Sequence, residues 1–266
     1  MDISVTGAAC LEAEALSCLA RACRCALPAG DTAPGSLPEA LPPEVAEAAG
    51  ALPLASRGQG GPIRHFRASR LVAGTVAAAL ADAGLTCEGL AGSGTGFVSG
   101  STYGTAEFLD SLRLALDTRG PRAVRPTDFA IATQGYPMSA LTMTYQTIGP
   151  ATAFVCGQSA TGQALDFAEL MMQVGQAARM VVVGYEILGP QTRRHAARLG
   201  QEAPAETVVA LVLEHGPGLV PLAGFRAACT VSPAGKTPPA RLGAARLHHA
   251  FRTLFARVSG KPEVAA

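Results

Sequence analysis

Short unbroken apolar runs along the chain alternate with longer segments whose apolar residues lie three or four apart, a pattern typical of buried strands and amphipathic helices. The predicted strands are 2–6, 96–101, 151–156, 180–186 and 207–214. The predicted helices are 11–26, 43–49, 68–83, 105–116 and 159–175. The rest of 28–62 is rich in proline, glycine and alanine, and we predict irregular backbone there. This alternation indicates an α/β fold.

The segment 159–175 has unusually little polar surface for a helix. Leu165, Leu170 and Met171 lie on different sides of it, so the pattern predicts a helix that is buried nearly all round. Because it directly follows an apolar strand, its amino-terminal amides and positive dipole end would point into the protein. Such a position suits a nucleophile or an oxyanion. We therefore look for chemistry at this junction.

The charge of the chain changes at residue 215. The 214 residues before it carry 14 basic and 19 acidic side chains, whereas 215–266 carries seven basic and one acidic. We therefore divide the chain into a main domain, 1–214, and a basic tail, 215–266. Apolar residues at helical spacing predict an amphipathic helix at 241–258 of the tail. Two interpretations stay open for this helix: packing on the core, or docking of an acidic partner.

Composition excludes several classes of protein. The 266 residues are 48% hydrophobic and 15% charged, with a net charge of +1, which argues against a disordered chain and against nucleic acid as a partner. No apolar run approaches the ~20 residues of a membrane span. The first residues lack a basic leader, so we expect a cytoplasmic protein.

Seven scattered cysteines, an odd number, predict no disulfides in such a protein. Cys18, Cys23 and Cys25 are spaced unlike any common zinc signature, and we expect them to be small packing residues on the helix 11–26. The glycine-rich stretch 92–96 precedes a strand, the reverse of the order that a phosphate-binding loop needs. We therefore predict neither a metal nor a cofactor.

The turn at 157–161 is similar to the G-x-S-x-G elbow of serine hydrolases, with Ser159 at the nucleophile position. Thr161 stands where the tight turn normally requires glycine. A hydrolase would also need a base from the downstream histidines. Those are His195, His215, His248 and His249.

A longer match begins at Gly149-Pro150 and runs through Cys156-Gly-Gln158 into the apolar helix, which resembles the active-site region of β-ketoacyl synthases. The resemblance extends without a gap through 175–184 and recurs upstream, so that it covers about 1–214. Upstream it lies at 67–85, 97–104 and 124–126. It implies a thiolase-like fold, here a single N-terminal half with a mixed five-stranded sheet and a buried central helix. The face that would meet a second half must then be covered by the tail or by another subunit.

Two departures from the family pattern bear on function. The position of the nucleophilic cysteine falls on Gln158, whose amide cannot form an acyl thioester. Its neighbours are Cys156, which we expect to be a core cysteine within the strand, and Ser159. The chain also lacks the family's second half with its two histidines and lysine, and His248-His249 has no matching surroundings. We therefore predict no catalytic residue.

Glutamine in place of the cysteine resembles two groups, the chain length factors and the decarboxylating loading synthases. The second group keeps the histidines, so this chain fits the first better. Its short form also resembles subunits of aryl polyene and related type II pathways. The resemblance thus implies a subunit, inactive alone, of a β-ketoacyl synthase complex in polyketide or fatty-acid-like biosynthesis. The alternative is a stand-alone malonyl-thioester decarboxylase or the serine-type acyl hydrolase above.

The resemblance also implies partners and sites. The expected partner is a full-length ketosynthase, and an acyl carrier protein could bind through the basic tail. The family's dimer strand corresponds to Ala151, Thr152, Ala153, Phe154, Val155 and Cys156. The lining of the acyl tunnel corresponds to Glu107, Phe108, Leu112, Gln134, Tyr136 and Met138. Tyr136 and Met138 are the strongest candidates for a gate, and ordinary packing beneath the sheet is the alternative role for them.

Overall fold

A single mixed sheet organises the chain in the computed structural model, which describes residues 2–27, 36–52, 66–198, 205–230 and 244–259. Its strand order is β3-β2-β1-β7-β6-β4-β5, and β8 pairs with β1 beside this path. The strands are β1 Ile3–Leu11, β2 Ala15–Cys18, β3 Cys23–Ala26, β4 Thr95–Ser101, β5 Ala151–Val155, β6 Arg179–Glu186, β7 Thr207–His215 and β8 Val220–Pro221. β4 is parallel to β5 and β6, and the other pairs are antiparallel.

Helices cover both faces of the sheet. They are α1 Pro43–Ala48, α2 Arg67–Asp82, α3 Cys87–Leu90, α4 Ala106–Arg119, α5 Pro126–Ile131, α6 Tyr136–Tyr145, α7 Ala160–Gln173, α8 Pro190–Arg198, α9 Leu222–Thr230 and α10 Ala244–Ser259, with a 3₁₀ turn at Pro121–Ala123. One core lies between the sheet and α2 and α6. A second core lies between the opposite face and α7, α9 and α10. The α/β class and the mixed sheet are confirmed.

All five predicted strands exist and form the neighbouring set β1-β7-β6-β4-β5. The first is longer than predicted. It does not turn at Gly7 but continues to Leu11 across an irregularity between Val5 and Gly7. A Cβ at Gly7 would collide with the backbone and side chain of Ala83, so glycine lets the end of α2 approach the strand.

The predicted helix over 11–26 is wrong, because the segment forms the hairpin of β2 and β3. The carboxylate of Asp82, at the end of α2, accepts hydrogen bonds from the amides of Ala8, Ala20 and Arg21 at 2.8–3.0 Å. These bonds fix the hairpin turn against β1. All four residues of β2 are buried, and a strand between β1 and β3 buries both of its side-chain faces more completely than a surface helix would.

The tail contributes to the second core. Leu247, Phe251 and Leu254 of α10 are buried, as is Phe225 of α9. In the described residues, α9 and α10 thus cover part of this face of the sheet. Lys236, Arg241, Lys261 and Glu263 lie outside them, as do 28–35 and 53–62 of the segment predicted to be irregular. Among the described helices, none combines the length and apolar character that crossing a membrane requires.

Candidate functional site

Gln158 lies in the tight turn between β5 and α7, the junction that the sequence singled out. Gly157 turns the chain with φ +71°, a left-handed conformation that favours glycine. A Cβ on Gly100 of β4 would collide with the backbone of Ala160 and Thr161, so the first turn of α7 packs directly on β4. Gln158 itself is exposed at the amino end of α7. Solvent therefore reaches the position that a nucleophile would occupy.

Cys156 is exposed, which makes the prediction of a core cysteine wrong. β5 ends at Val155, and Cys156 leaves the sheet to form an isolated bridge with Gln158. It is the one exposed cysteine of the seven, all of which the structure describes. The hydroxyl of Ser159 donates to the carbonyl of Cys156 at 3.2 Å and lies 3.9 Å from its Sγ. Among the described residues no hydrogen bond joins Ser159 to a histidine, so its hydroxyl serves the turn.

α7 is buried on one side only, not nearly all round as predicted. Ala164, Leu165 and Ala168 face the sheet, whereas Leu170 is 50% and Val174 54% exposed. The helix lies at the end of its layer, where β5 is the last strand beneath it. Leu170 and Val174 are thus available to another protein surface.

A buried carboxylate at the end of β6 supports the loop behind the site. Glu186 accepts hydrogen bonds from the amide of Thr102 at 2.7 Å and from the hydroxyl of Ser101 at 3.4 Å. Burial raises the pKa of Glu186, although these hydrogen bonds act in the opposite direction. Ser101 Oγ in turn accepts from the amide of Gly104 at 2.8 Å, which closes the turn after β4. Sequence reasoning missed Glu186, because its signal was a single acidic residue ending an apolar strand.

Four of the six predicted tunnel residues meet where α2, α4 and α6 converge. Phe108 stacks on Phe66 with ring centroids 4.9 Å apart, and Tyr136 lies 6.0 Å from the same ring. Gln134 accepts a hydrogen bond from the amide of Thr105 at 2.9 Å. The fourth is Glu107.

Glu107 lies near the amino end of α2. Burial raises the pKa of its carboxyl, with the charge of Arg67 opposing the shift. Of the remaining two, Met138 is fully buried in the first core, against which Phe108 and Tyr136 also pack, and Leu112 is partly buried further along α4.

The edge of the sheet next to the site is open. β5 pairs with β4 on one side, and no described strand pairs with its other side. Nine of the eleven large hydrophobic side chains that are exposed among the described residues lie between 109 and 174. The most exposed are Ile148 at 78%, just before β5, and Phe129 at 67% in α5.

Some basic side chains of the tail form ion pairs with acidic side chains of the main domain. Arg226 of α9 binds Asp166 and Glu169 of α7 at 2.7 and 2.8 Å. Arg252 lies 3.9 Å from Glu12. Packing of the tail on the core, one of the two interpretations, is thus observed for the described part of the predicted helix.

Potential metal ligands converge at one place in the described part of the chain. Cys10, Glu12 and His248 offer a thiol, a carboxylate and an imidazole whose ligand atoms all lie within 4.8 Å of one another. Cys18, Cys23 and Cys25 lie instead on the hairpin, where Cys18 is directly opposite Cys23. Sequence reasoning missed the first group because Glu12 and His248 are 236 residues apart.

Comparisons with known proteins agree with this architecture. The family model for the N-terminal domain of β-ketoacyl synthases matches residues 64–209. No curated protein matches the chain.

Three solved structures are similar to this chain at low sequence identity. A ketosynthase (ApeO) in complex with its chain length factor (ApeC) from Xenorhabdus doucetiae matches over 82% of this chain and 81% of its own, with 17% identity and a TM-score of 0.51. The ishigamide ketosynthase/chain length factor matches over 96% and 82%, with 16% identity and a TM-score of 0.57. A β-ketoacyl synthase from Burkholderia phymatum STM815 matches over 80% and 59%, with 17% identity and a TM-score of 0.51. At these identities the likeness shows the fold.

Proposed function

Because the chain belongs to the β-ketoacyl synthase family through that N-terminal domain, we propose that it is a non-catalytic subunit of the chain-length-factor type. The observation that carries the proposal is Gln158 at the nucleophile position, exposed at the amino end of α7. An amide there cannot accept an acyl group from a thioester. The acyl chemistry is then the work of a partner, a full-length ketosynthase of a type II polyketide or fatty-acid-like system.

The geometry of β5 supports pairing with that partner. The amide of Phe97 donates to the carbonyl of Pro150 at 2.9 Å. In the parallel pairing of β4 and β5, this bond determines which residues of β5 form hydrogen bonds with β4. In such a ladder alternate residues bond to the neighbouring strand, so Thr152 and Phe154 face β4 and Ala153 presents its N–H and C=O outward. A second antiparallel strand can bind these outward groups.

The apolar surface beside β5 supports the same arrangement. Ile148, Val155, Leu170 and Val174 are exposed around the strand. Exposed apolar side chains concentrated in one region of a surface mark sites of protein association. In the proposed heterodimer they lie against the ketosynthase, together with Cys156.

The same proposal gives the tunnel residues a role. Phe108 and Tyr136 would close the far end of the partner's acyl tunnel, so that the size of their side chains limits chain length. We expect Phe108→Ala or Tyr136→Ala to lengthen the product by at least one extension step, as measured by mass spectrometry of the products. Tyr136→Phe keeps the ring and should leave the product unchanged. If both alanine variants form an intact complex and give unchanged products, Phe108 and Tyr136 only pack beneath the sheet and do not limit chain length.

An acyl carrier protein is the second partner we propose. Carrier proteins of these systems would approach the basic tail, where Arg257 of α10 is exposed. Arg257→Glu should weaken binding of the acylated carrier to the complex, measured by surface plasmon resonance at two salt concentrations. If the variant binds the carrier as tightly as wild type does, the tail is not part of the carrier-binding site.

The decisive experiment is co-expression of the chain with a full-length ketosynthase of a type II system, followed by size-exclusion chromatography and native mass spectrometry. We expect a 1:1 complex that is active, and a lone chain that is inert. Cys156 gives a second readout, because maleimide should label it fastest in the lone chain and slowly in the complex. A folded lone chain that ignores the ketosynthase, or that turns over malonyl thioester or an ester by itself, would overturn the proposal in favour of the decarboxylase or hydrolase.

A further inference from the structure

A group of metal-ligating side chains lies away from Gln158, at the carboxyl end of β1. Cys10 and Glu12 are two residues apart, a spacing that directs side chains to the same face of an extended chain. α10 crosses this face and brings His248 to them, where the imidazole Nε2 and the carboxylate Oε1 of Glu12 make a close contact. The tail and the first strand together thus form a cluster that neither could form alone.

We propose that Cys10, Glu12 and His248 bind a zinc ion that fastens α10 to β1. Thiolate, imidazole and carboxylate are the ligands that zinc takes in proteins, with a water molecule as the fourth in a three-residue site. Zinc bonds of about 2.0–2.3 Å in a tetrahedral site separate the ligand atoms by about 3.3–3.8 Å. The ligand atoms here lie within 4.8 Å of one another, so shifts of about 1 Å bring them into place.

Burial and accessibility are compatible with such a site. Cys10 is buried at the bottom of the cluster, whereas Glu12 and His248 are partly exposed and open it to solvent. Binding forms a Zn–S bond as the Cys10 thiol loses its proton to water, so one proton leaves for each ion bound. No oxidant or other reactant is required.

Two guanidinium groups compete with the ion for Glu12. Arg24 approaches one carboxylate oxygen at 3.6 Å and Arg252 approaches the other at 3.9 Å. Both distances exceed a hydrogen bond, and the side chain of Arg24 is 41% exposed, so Arg24 can shift when zinc binds. The positive charge of these two groups lowers the affinity of the site for zinc. Removing one of the charges should therefore tighten zinc binding, which a purely structural ion-pair network would not predict.

The test is titration of the metal-free full-length chain with zinc against a chromophoric chelator, with Co²⁺ as a spectroscopic probe. Wild type should bind one equivalent, and Co²⁺ should show thiolate-to-metal charge transfer. His248→Gln should weaken binding at least about 10-fold, whereas His249→Gln on the same helix should not. Arg252→Gln should tighten binding about threefold through loss of one nearby positive charge.

Further variants keep the result interpretable. Cys10→Ser should remove the charge-transfer band, and its circular dichroism and melting in the absence of metal report whether it has folded. Because His248 is partly exposed, His248→Gln provides the test even if Cys10→Ser does not fold. No bound equivalent in wild type, equal affinity in His248→Gln, or loss of binding in Cys23→Ser instead would overturn the proposal.

Discussion

At one edge of the sheet β3 is four residues long and carries exposed Arg24, whereas at the other edge β5 is five residues long and has no charged side chain. Charges and short length are the usual protection of an edge strand against pairing with another chain. The turn before β3 is also held by two backbone hydrogen bonds to Asp82, from the amides of Ala20 and Arg21. β5 has apolar neighbours that are exposed, Ile148 foremost. The difference agrees with the proposal that one edge completes the fold and the other pairs with a partner.

A proline in β5 should cause the largest loss of affinity for the ketosynthase. Ala153→Pro removes an outward N–H without removing a bond to β4, so the lone chain should fold while the affinity for the ketosynthase falls at least about 100-fold, about 3 kcal/mol. Affinity is measured by isothermal titration calorimetry, and folding by circular dichroism. Ala26→Pro, at an exposed position of β3, is the matched control and should bind like wild type. Equal losses in the two variants would mean that β5 has no special role.

A change at the β3 edge should instead lower the stability of the chain and leave binding of the ketosynthase unchanged. Asp82→Asn keeps the shape of the side chain but weakens the acceptor for the amides of Ala8, Ala20 and Arg21. Because its side chain is fully buried, we expect a loss of about 2–3 kcal/mol in the free energy of unfolding. Urea unfolding measures this loss. Binding of the ketosynthase by the folded fraction should not change, and a large change there would show that the two edges are coupled.

A charge on the apolar surface next to β5 has a smaller effect. Ile148→Asp places a carboxylate where we expect contact with the ketosynthase, and should weaken the complex about 10- to 100-fold. The lone chain should become more soluble, since Ile148 is exposed and contributes little to the core. Val258→Asp, on the exposed side of α10, is the control. If Val258→Asp weakens the complex and Ile148→Asp does not, the interface lies on the tail.

The five core strands and most helices could be predicted because each has a strong local pattern. Residues 208–213 of β7, for example, are all apolar, and β7 is central in the sheet. The hairpin at 15–26 could not, since its conformation depends on Asp82, which lies more than 50 residues away along the chain.

The same limit applied around the site. The position of Gln158 followed from the resemblance, whereas the exposure of Cys156 and Leu170 depends on which strand lies at the edge of the sheet. An apolar helix has the same sequence pattern whether the chain itself or a partner covers its outer side. Sequence reasoning therefore placed the junction correctly and assigned too much burial to it.

Replacement of Gln158 should have the smallest effect of all, although the resemblance assigns this residue to the position of the family's nucleophile. Gln158→Ala removes an exposed amide and should leave the activity of the complex within about twofold of wild type, because in the proposed heterodimer the partner carries the acyl chain. Gln158→Cys should not create a second acylation site that supports condensation, since no hydrogen bond joins this turn to a histidine within the part of the chain that the structure describes. Both are measured as product formed per complex, with intact-protein mass spectrometry to detect acylation. Loss of activity in Gln158→Ala while the 1:1 complex persists would assign the amide a chemical role, and the open edge would then not be the only contribution of this subunit.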